Sequence, residues 1–392
     1  MKRVMQDERG MALALAIVAL VIVGALVAGA FFSGEQEQRM AENSRYQAQS
    51  FGVVEGGATE QIGVWNRTTY NARRPYPLDS AAPVLLTQAP RKTGSYSGEI
   101  YKLTDNLYLM DFTGRDTMSS ANRLRGGGFG QRLGVLSRIT PLQADIQAAM
   151  TVGGPVSWGG GNTFVQGADA PPPAGANWNS CTTGAALAGV RAKAAGDIGA
   201  SNGQYSGTPN SIISPTMDSS TFYNYGYTNY VQLSQQANIQ LASGTYSPAP
   251  VVLNGVCQTG NATNWGDGNN HNNACGTYFP IVWLKGPTGP GSGTWNIAGG
   301  QGQGVLLVDG DVSFQGNFTF YGMIVVRGKS TTIANSTIKI YGTLLSKTAD
   351  FGANSSGSGS FTVNWSSCAL SQALSGTGLG ALARSRSFVP LY

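Results

Sequence analysis

The longest apolar run of the chain lies near the N-terminus, where residues 11–32 read MALALAIVALVIVGALVAGAFF without a charge. Arg9 precedes this run and Glu35 follows it. Twenty-two residues, at about 1.5 Å each, are enough to span the hydrocarbon core of a bilayer as a helix. The apolar core of a cleaved secretory signal is shorter, about 7–15 residues. Because Lys2 and Arg3 precede the span, we expect a single-pass membrane helix with a cytoplasmic N-terminus and the bulk of the chain outside.

The sequence beyond the apolar run predicts that the helix continues to about Ile62, giving one helix of about 80 Å from Met11. Its apolar half could lie in lipid or in a bundle of equivalent apolar halves. An ordinary membrane anchor explains the apolar run alone equally well. Glycines 52, 56, 57 and 63 are expected to weaken the end of the helix, since each costs about 1 kcal/mol relative to alanine.

Short alternating apolar runs dominate the rest of the chain. From Gly94, the segment SYSGEIYKLTDNLYLMDFTG predicts a β-hairpin or small sheet. Residues 139–151 predict one short helix, and the Ala-rich residues 182–202 are expected to be helical.

An internal repeat occupies residues 304–365. Its three units end in the phrases FTFYG, IKIYG and FTVNW, and they last about 18–23 residues each. Tyr321–Gly322 and Tyr341–Gly342 occupy matching positions. The recurrent order of apolar pieces and turns predicts stacked coils of a parallel β-helix, and the alternative is an antiparallel sandwich with similar strand spacing.

Composition supports a folded, glycine-rich, β-rich protein. Of 392 residues, 55 are glycine, 41% are hydrophobic and only 11% are charged, whereas soluble domains have about 7% glycine and about 25% charged residues. The predicted fold class is therefore α+β, mainly β: a long N-terminal helix plus a large extracytoplasmic β-rich domain, with a parallel β-helix in its C-terminal part.

The positive charge is concentrated in one early segment. The net charge is +5, and residues 67–138 hold eleven Lys/Arg against five Asp/Glu. Nucleic-acid binding would require these side chains to cluster on one face, and we do not expect it. Whether the segment binds anything is left open. The residues considered are Arg67, Arg73, Arg74, Arg91, Lys92, Arg115, Arg123, Arg125, Arg132 and Arg138.

Four cysteines in an exported domain indicate disulfides. Cys257 and Cys275 enclose a polar loop of seventeen residues with little apolar material to order it, which favours pairing them. Cys181 and Cys368 then form the remaining pair, although spacing alone does not fix the connectivity. The spacing does not match a zinc ribbon, and His271 is the only histidine. We expect no metal site and no cofactor.

Two segments were considered for chemistry or binding. The Asp309–Gly310–Asp311 pair of carboxylates is expected to form a turn with both side chains near the outside, so no enzymatic activity is predicted. The run FYNYGYTNY is expected to form a strand that covers an apolar core, with surface binding of a sugar or protein as the alternative. The residues of that alternative are Phe222, Tyr223, Tyr225, Tyr227 and Tyr230.

Calcium is a further open question. Asp267–Gly268–Asn269 offers oxygen ligands, but the loop lacks the spacing and terminal glutamate of an EF-hand.

The N-terminus resembles a known family. The leader MKRVMQDERG, ending in Gly10 directly before an apolar helix, resembles the class III leader of type IV pilins. The resemblance implies cleavage between Gly10 and Met11 by prepilin peptidase, and N-methylation of Met11. Type IV pilins usually carry glutamate at the fifth mature position, where this chain has Leu15.

The segment EQEQRMAENSRYQAQSFGVVEGGATE is similar to the signature of PilX-type minor pilins, and the matching residues are Glu37, Arg39, Met40, Ala41, Asn43 and Glu55. More loosely, large PilX-like proteins resemble this chain in joining a pilin helix to a Gly-rich repeat domain with a GxLxVDGD-like segment, here Gly304–Asp311.

The resemblance implies a structural minor pilin or pilus-assembly subunit, held in the inner membrane with its bulk in the periplasm and then inserted in a pilus at the cell surface. Its partners would be other pilins, prepilin peptidase, inner-membrane lipid and a surface ligand or glycan. The alternatives are a membrane-anchored carbohydrate-binding or carbohydrate-cleaving β-helix protein and the tip pseudopilin of type II secretion. The expected organisation is a leader (1–10), a transmembrane pilin helix (11–65), a mixed α/β region (66–170), a loop and helix region with a disulfide loop (171–303), β-helix-like repeats (304–365) and a C-terminal tail (366–392).

Overall fold

A single long helix forms the N-terminal part of the protein. The computed structural model describes residues 8–88, 94–104, 106–116, 130–140, 144–158, 162–178, 181–199, 204–223, 229–289, 291–352, 359–375, 377, 379–382 and 388–391. Helix α1 spans Glu8–Gly63, 56 residues and about 84 Å. The short helix α2, Arg67–Tyr70, follows it. The long helix expected from the sequence is therefore confirmed.

An antiparallel sheet follows the helix. Its first four strands are β1 (Ala82–Gln88), β2 (Gly94–Lys102), β3 (Leu107–Asp116) and β4 (Gly130–Thr140), each antiparallel to the next. Strands β2 and β3 form the hairpin predicted from their alternation, with Ile100 opposite Met110. Residues on one face of this sheet are buried against α1.

The remaining chain builds a second, mostly parallel sheet. Its shorter strands, together with the small β13–β14 hairpin, are β5 (Ala148–Val152), β6 (Val156–Ser157), β7 (Thr163–Gln166), β8 (Ala188–Ala192), β9 (Tyr205–Ser206), β10 (Ser211–Ile213), β11 (Ile239–Leu241), β12 (Gly244–Tyr246), β13 (Val252–Leu253), β14 (Val256–Cys257) and β15 (Ile281–Leu284). The long strands are β16 (Thr294–Val308), β17 (Asp311–Thr332), β18 (Thr337–Asp350) and β19 (Ser360–Asn364).

Helices are short in this region. They comprise a 3-10 turn at Ala174–Ala176 and the α-helices α3 (Ala195–Ile198), α4 (Ser220–Tyr223), α5 (Tyr230–Gln235) and α6 (Ser367–Ser375). The last strands, β20 (Leu379–Leu382) and β21 (Phe388–Leu391), return to the first sheet and both pair antiparallel with β4.

The repeat units predicted at 304–365 pair in parallel and in the predicted register. Gly304 lies opposite Gly322, 18 positions on, and Gly322 lies opposite Gly342, 20 positions on. Thr337 lies opposite Ser360, a further 23-residue step. Antiparallel pairing is therefore wrong for these strands. The parallel ladder also extends beyond the repeat, in the order β10-β8-β5-β18-β17-β16-β15-β11.

Buried apolar side chains form a continuous column inside the stacked strands. Phe318, Phe320 and Ile340 are fully buried, and the rings of Phe314 and Phe318 stack with centroids 5.6 Å apart. Outside this column, the buried Tyr321 ring stacks on the half-buried Tyr341 ring, with centroids 5.1 Å apart. The same position in successive coils thus contributes the same kind of contact, as expected for stacked repeats.

Two predicted helices are wrong. Residues 139–151 contain the end of β4 and the buried strand β5, with 141–143 outside the described residues. Within 182–202, residues 188–192 form β8 and, of the residues described there (182–199), only 195–198 are helical. Strand β8 lies between β5 and β10, and a Cβ at Gly189 would lie only 2.6 Å from the Ser206 carbonyl oxygen. Small residues are needed here because strands pack closely, not because they favour a helix.

Candidate functional site

The apolar half of α1, residues 13–32, is exposed. Side chains from Leu13 to Phe32 are exposed throughout, and the most apolar 18-residue window has a mean hydropathy of 2.8 with none of it buried in the protein. Of the described residues, only this helix is long and apolar enough to cross a membrane. So large an apolar surface requires lipid or other protein to cover it.

The predicted processing residues lie at the start of this helix. The backbone of Gly10 and Met11 is helical, within the first turn of α1. Leu15, the fifth residue after the predicted cleavage bond, is 69% exposed. An apolar side chain therefore stands where a glutamate would present a charge.

A polar stretch of α1 separates the apolar half from the β-rich region. Arg39 and Glu35 form an exposed ion pair at 2.6 Å, four residues apart on one face. Such exposed pairs contribute only about 0.3–0.5 kcal/mol. The residues of the predicted signature are all exposed: Glu37, Arg39, Met40, Ala41, Asn43 and Glu55. They are free to contact other molecules.

The lower part of α1 packs on the first sheet. Ser50, Val53, Val54 and Ala58 are buried, and their spacing of three and four residues places them on one side of the helix. Val54 packs against Gly114 of β3, where a Cβ would lie 2.8 Å from the Val54 Cβ. The helix is thus fixed to the sheet over its last turns.

Gly57 brings the helix close to the sheet. A Cβ at Gly57 would lie 2.6 Å from Cδ1 of the fully buried Tyr96 ring on β2, so only glycine fits. Gly56, by contrast, has nothing within 4 Å. Both glycines were expected to weaken the helix, whereas the close contact with Tyr96 is what requires glycine at position 57.

Tyr96 connects the helix to the sheet through its hydroxyl. The hydroxyl donates to Glu60 Oε2 at 2.8 Å and accepts from Gln61 Nε2 at 3.0 Å. Burial raises the pKa of Tyr96 to about 12, with a smaller contribution from the neighbouring Glu60 carboxylate. The neutral phenol therefore stays protonated and continues to donate across the physiological range.

The chain leaving α1 is held by a second aromatic cluster. The Trp65 ring packs against Tyr70 and Tyr108, with centroids 4.9 and 5.0 Å away, and its Nε1 donates to Asn71 Oδ1 at 2.8 Å. The buried Lys102 ammonium donates to the Asn71 carbonyl at 2.9 Å. The junction between helix and sheet is therefore rigid on both sides of residue 63.

Both disulfides are formed. Cys257 bonds to Cys275 and Cys181 bonds to Cys368, with Cα atoms 4.9 and 5.4 Å apart. The second bond links the loop after the 3-10 turn to α6, 187 positions later.

The polar loop closed by Cys257 and Cys275 is ordered by hydrogen bonds. The buried Asp267 carboxylate accepts from the Asn270 backbone at 3.1 Å and from the Asn273 and Gln301 side-chain amides at 2.7 and 3.0 Å. His271 stacks on Trp178, with centroids 4.7 Å apart. These contacts give Asp267 a structural role, which the calcium hypothesis did not consider.

The Asp309–Asp311 pair does not match its prediction fully. Asp311 is exposed as expected, and its Oδ1 accepts from the Lys329 backbone at 2.7 Å. Asp309 is buried, and its two carboxylate oxygens accept hydrogen bonds from the Tyr230 hydroxyl at 3.0 Å and from the Gly286 backbone at 2.9 Å.

The aromatic run forms helices over its described residues. Phe222 and Tyr223 lie in α4 and Tyr230 begins α5, so the predicted strand is wrong, while Tyr225 and Tyr227 lie outside the described residues. Phe222 and Tyr230 are buried in the main core and Tyr223 is half-buried. The three described aromatic residues therefore cover the core, because Phe222 and Tyr230 lie in it and Tyr223 packs against it.

Arginines of the basic segment have partners on the first sheet and the loop before it. Arg74 pairs with Asp79 at 3.0 Å, and Arg132 pairs with Asp111 at 2.5 Å. Arg91, Lys92, Arg123 and Arg125 lie outside the described residues.

No protein-family model matches the chain, and no curated protein matches it either. Among solved structures, it is similar to the crystal structure of the competence-associated pilin ComZ from Thermus thermophilus, at 11% identity over 89% of this chain and 97% of that chain. The TM-score is 0.25, which is too low for this likeness to carry an argument.

Proposed function

We propose that this chain is a structural minor pilin or pilus-assembly subunit of a type IV filament system, without enzymatic activity. One observation carries the proposal: the N-terminal, apolar half of α1 is exposed, while its C-terminal half packs on the first sheet. Lipid can cover the apolar half before assembly, and the apolar helices of neighbouring subunits can cover it afterwards. The same surface thus serves as membrane anchor and as assembly contact.

The N-terminal sequence supports the specific class of PilX-type minor pilin. Prepilin peptidase would cut between Gly10 and Met11 on the cytoplasmic side, and Met11 would then be N-methylated. The bulk of the chain would lie in the periplasm and later on the pilus. The exposed signature residues beyond the apolar half are available to neighbouring pilins.

A position at the filament tip is part of the proposal. The β-rich domain is bulky, and Leu15 cannot neutralise the N-terminal amine of a neighbouring subunit as a glutamate would. Both features favour a terminal subunit. In labelled filaments, the parent protein is expected at ends, and a Leu15→Glu variant is expected along the shaft as well. Equal distribution of the two proteins would remove this part of the proposal.

We further infer that the stacked strands form a parallel β-helix displayed by this anchor. The 18- and 20-residue parallel registers of β16, β17 and β18 support this. A displayed surface of this kind could present a ligand or glycan site outside the cell.

The carbohydrate-cleaving alternative would use the Asp309 and Asp311 carboxylates. Both oxygens of Asp309 already accept hydrogen bonds from the protein, which favours a structural role for that residue. The tip pseudopilin of type II secretion shares the helix arrangement and differs in the filament that it joins.

Intact-mass measurement of the protein, purified from cells with and without prepilin peptidase, tests the proposal. Loss of residues 1–10 only in the presence of the peptidase is expected. A Gly10→Phe variant should keep its full mass in both strains, while a matched Gly24→Ala variant, whose new Cβ has nothing within 4 Å, should be cleaved like the parent. An uncleaved parent in both strains would reduce α1 to an ordinary anchor.

A further inference from the structure

A cavity of about 380 Å³ lies beside α4 on the stacked strands, far from the apolar half of α1 in sequence. Three cationic side chains line it, from three different elements: Lys193 follows β8, Arg327 lies in β17 and Lys347 lies in β18. The volume is in the range of sites that hold small ligands. Among the described residues that line the cavity, Asp218 supplies the only carboxylate.

Aromatic rings hold the Arg327 guanidinium in place. Its central carbon lies 4.2 Å from the ring centroid of Tyr223 and 4.8 Å from that of Tyr230. Tyr230 in turn donates to the buried Asp309 carboxylate at 3.0 Å, which fixes the ring. A guanidinium stacked in this way loses little freedom when it binds an anion.

The cations of the cavity are only partly neutralised by the described part of the protein, in which Asp218 interacts with Lys193 through its charge. No ion pair joins Lys193, Arg327 or Lys347 to a carboxylate among the described residues. Arg327 Nε is buried and has no hydrogen-bond partner there. A buried donor without an acceptor is costly, especially on a charged group.

Asp218 does not cancel this excess of positive charge. Its Oδ1 accepts from the Ser220 hydroxyl at 2.6 Å and from the Ser220 backbone at 2.8 Å. These bonds hold the Asp218 pKa below its ordinary value, so the group carries one negative charge against three positive ones. Asp309, behind Tyr230, is occupied by Tyr230 and Gly286.

We propose that this cavity binds the oxyanion group of a small ligand, a carboxylate, phosphate or sulfate, between Arg327 and the two lysines. Charge-assisted hydrogen bonds from a fixed guanidinium and two mobile ammonium groups match the acceptor oxygens of such a group. The aromatic run then acts by positioning Arg327, since the Tyr223 ring is already stacked on the guanidinium. This site goes beyond the proposed assembly role, because it uses no residue of α1.

Isothermal titration calorimetry on the full chain in neutral detergent tests this site. Sulfate, inorganic phosphate and glucuronate are titrated at constant ionic strength, with glucose as the uncharged comparison. Saturable binding of at least one anion and none of glucose is expected. Preference for sulfate and phosphate would identify a tetrahedral oxyanion, and preference for glucuronate a carboxylate.

Charge-removing variants locate the binding. Lys193→Gln and Lys347→Gln change exposed side chains and are each expected to weaken binding about tenfold or more. Lys339→Gln is the matched control, because Lys339 is exposed on the same strand as Lys347 and does not line the cavity. Arg327→Lys keeps the positive charge and loses the planar guanidinium with its paired N–H donors, so weaker binding is also expected.

Three results would overturn the proposal. The first is the absence of saturable binding for all three anions. The second is an equal loss of affinity in Lys339→Gln and Lys347→Gln, which would indicate general charge attraction. The third is parental affinity in a folded Arg327→Lys variant, which would remove the stacked guanidinium from recognition.

Discussion

The sharpest test of the parallel stacking of β16, β17 and β18 is the substitution Gly322→Ala. Gly304, Gly322 and Gly342 lie opposite one another on successive strands and all have positive φ, at 104°, 130° and 134°. A Cβ at Gly322 would overlap the carbonyl oxygen of Gly304 and lie 2.7 Å from the Ala373 Cβ of α6. Glycine is therefore required at position 322 both by backbone conformation and by the close approach of the neighbouring strand and α6.

The expected loss of stability comes from two effects. A non-glycine residue in such a sparsely populated backbone region costs about 1–3 kcal/mol. Overpacking of a tight interior site costs about 1–3 kcal/mol as well. Together they predict that Gly322→Ala lowers the free energy of unfolding by about 4 kcal/mol. For a domain of this size, that loss corresponds to a fall in melting temperature of roughly 10 °C.

Thermal unfolding followed by circular dichroism, with the disulfides intact, measures this loss against two matched variants. Gly316→Ala also has positive φ, at 66°, but its new Cβ would be no closer than 3.6 Å to any atom, so a loss of only about 1 kcal/mol is expected. Gly196→Ala meets neither difficulty and should leave stability unchanged or slightly higher. If Gly322→Ala loses no more stability than Gly316→Ala, the close approach of Gly304 does not constrain the residue at position 322.

Three further predictions concern the junction and the loop. Gly57→Ala should lower the unfolding free energy by about 1–3 kcal/mol through contact with Tyr96, whereas Gly56→Ala should raise it by up to about 1 kcal/mol; equal melting temperatures would contradict this. Burial raises the pKa of Tyr96 to about 12 against an ordinary value of 10. Between pH 10 and 12 the unfolded chain therefore releases this proton while the folded chain keeps it. The contribution of Tyr96 to the free energy of unfolding is thus complete below pH 10 and is lost as the pH rises towards 12. Unfolding midpoints across that range should fall less steeply in Tyr96→Phe. Replacing Cys257 and Cys275 together by serine should cost about 2–4 kcal/mol in chemical unfolding, and an unchanged midpoint would refute the stabilising role of the bond.

Periodic signals in the sequence predicted the elements that depend on them. An uncharged run of 22 residues identifies the helix, strict alternation identifies the β2–β3 hairpin, and the Tyr-Gly phrase fixes the register of β17 against β18. For the hairpin and the stacked strands, the residues that carry the signal are the ones that make the contact, as the stacked Tyr321 and Tyr341 rings illustrate.

Other features depend on residues distant in sequence, and local composition misleads there. Strand β8 is Ala- and Gly-rich, which favours a helix on propensity, but its place between β5 and β10 requires small side chains. The cavity cations, Lys193, Arg327 and Lys347, lie more than 150 positions apart at the extremes and share no motif. The nearby aromatic run stands out in the sequence, but no sequence pattern marks Arg327, which is stacked on it.

The path of the chain explains how a large β-rich region can be attached firmly to one helix. Strand β4 carries the chain out of the first sheet, and β20 and β21 bring it back to pair with the same strand. The Cys181–Cys368 bond joins the outgoing and returning halves of the domain between them. Force applied to α1 therefore acts on the first sheet. The helix packs on one face of this sheet, and β20 and β21 both pair with β4 at one edge. Local opening of a single strand would not release the domain, because the second connection and the disulfide remain. In the filament subunit proposed above, this double attachment would keep the β-rich domain joined to its anchor under load.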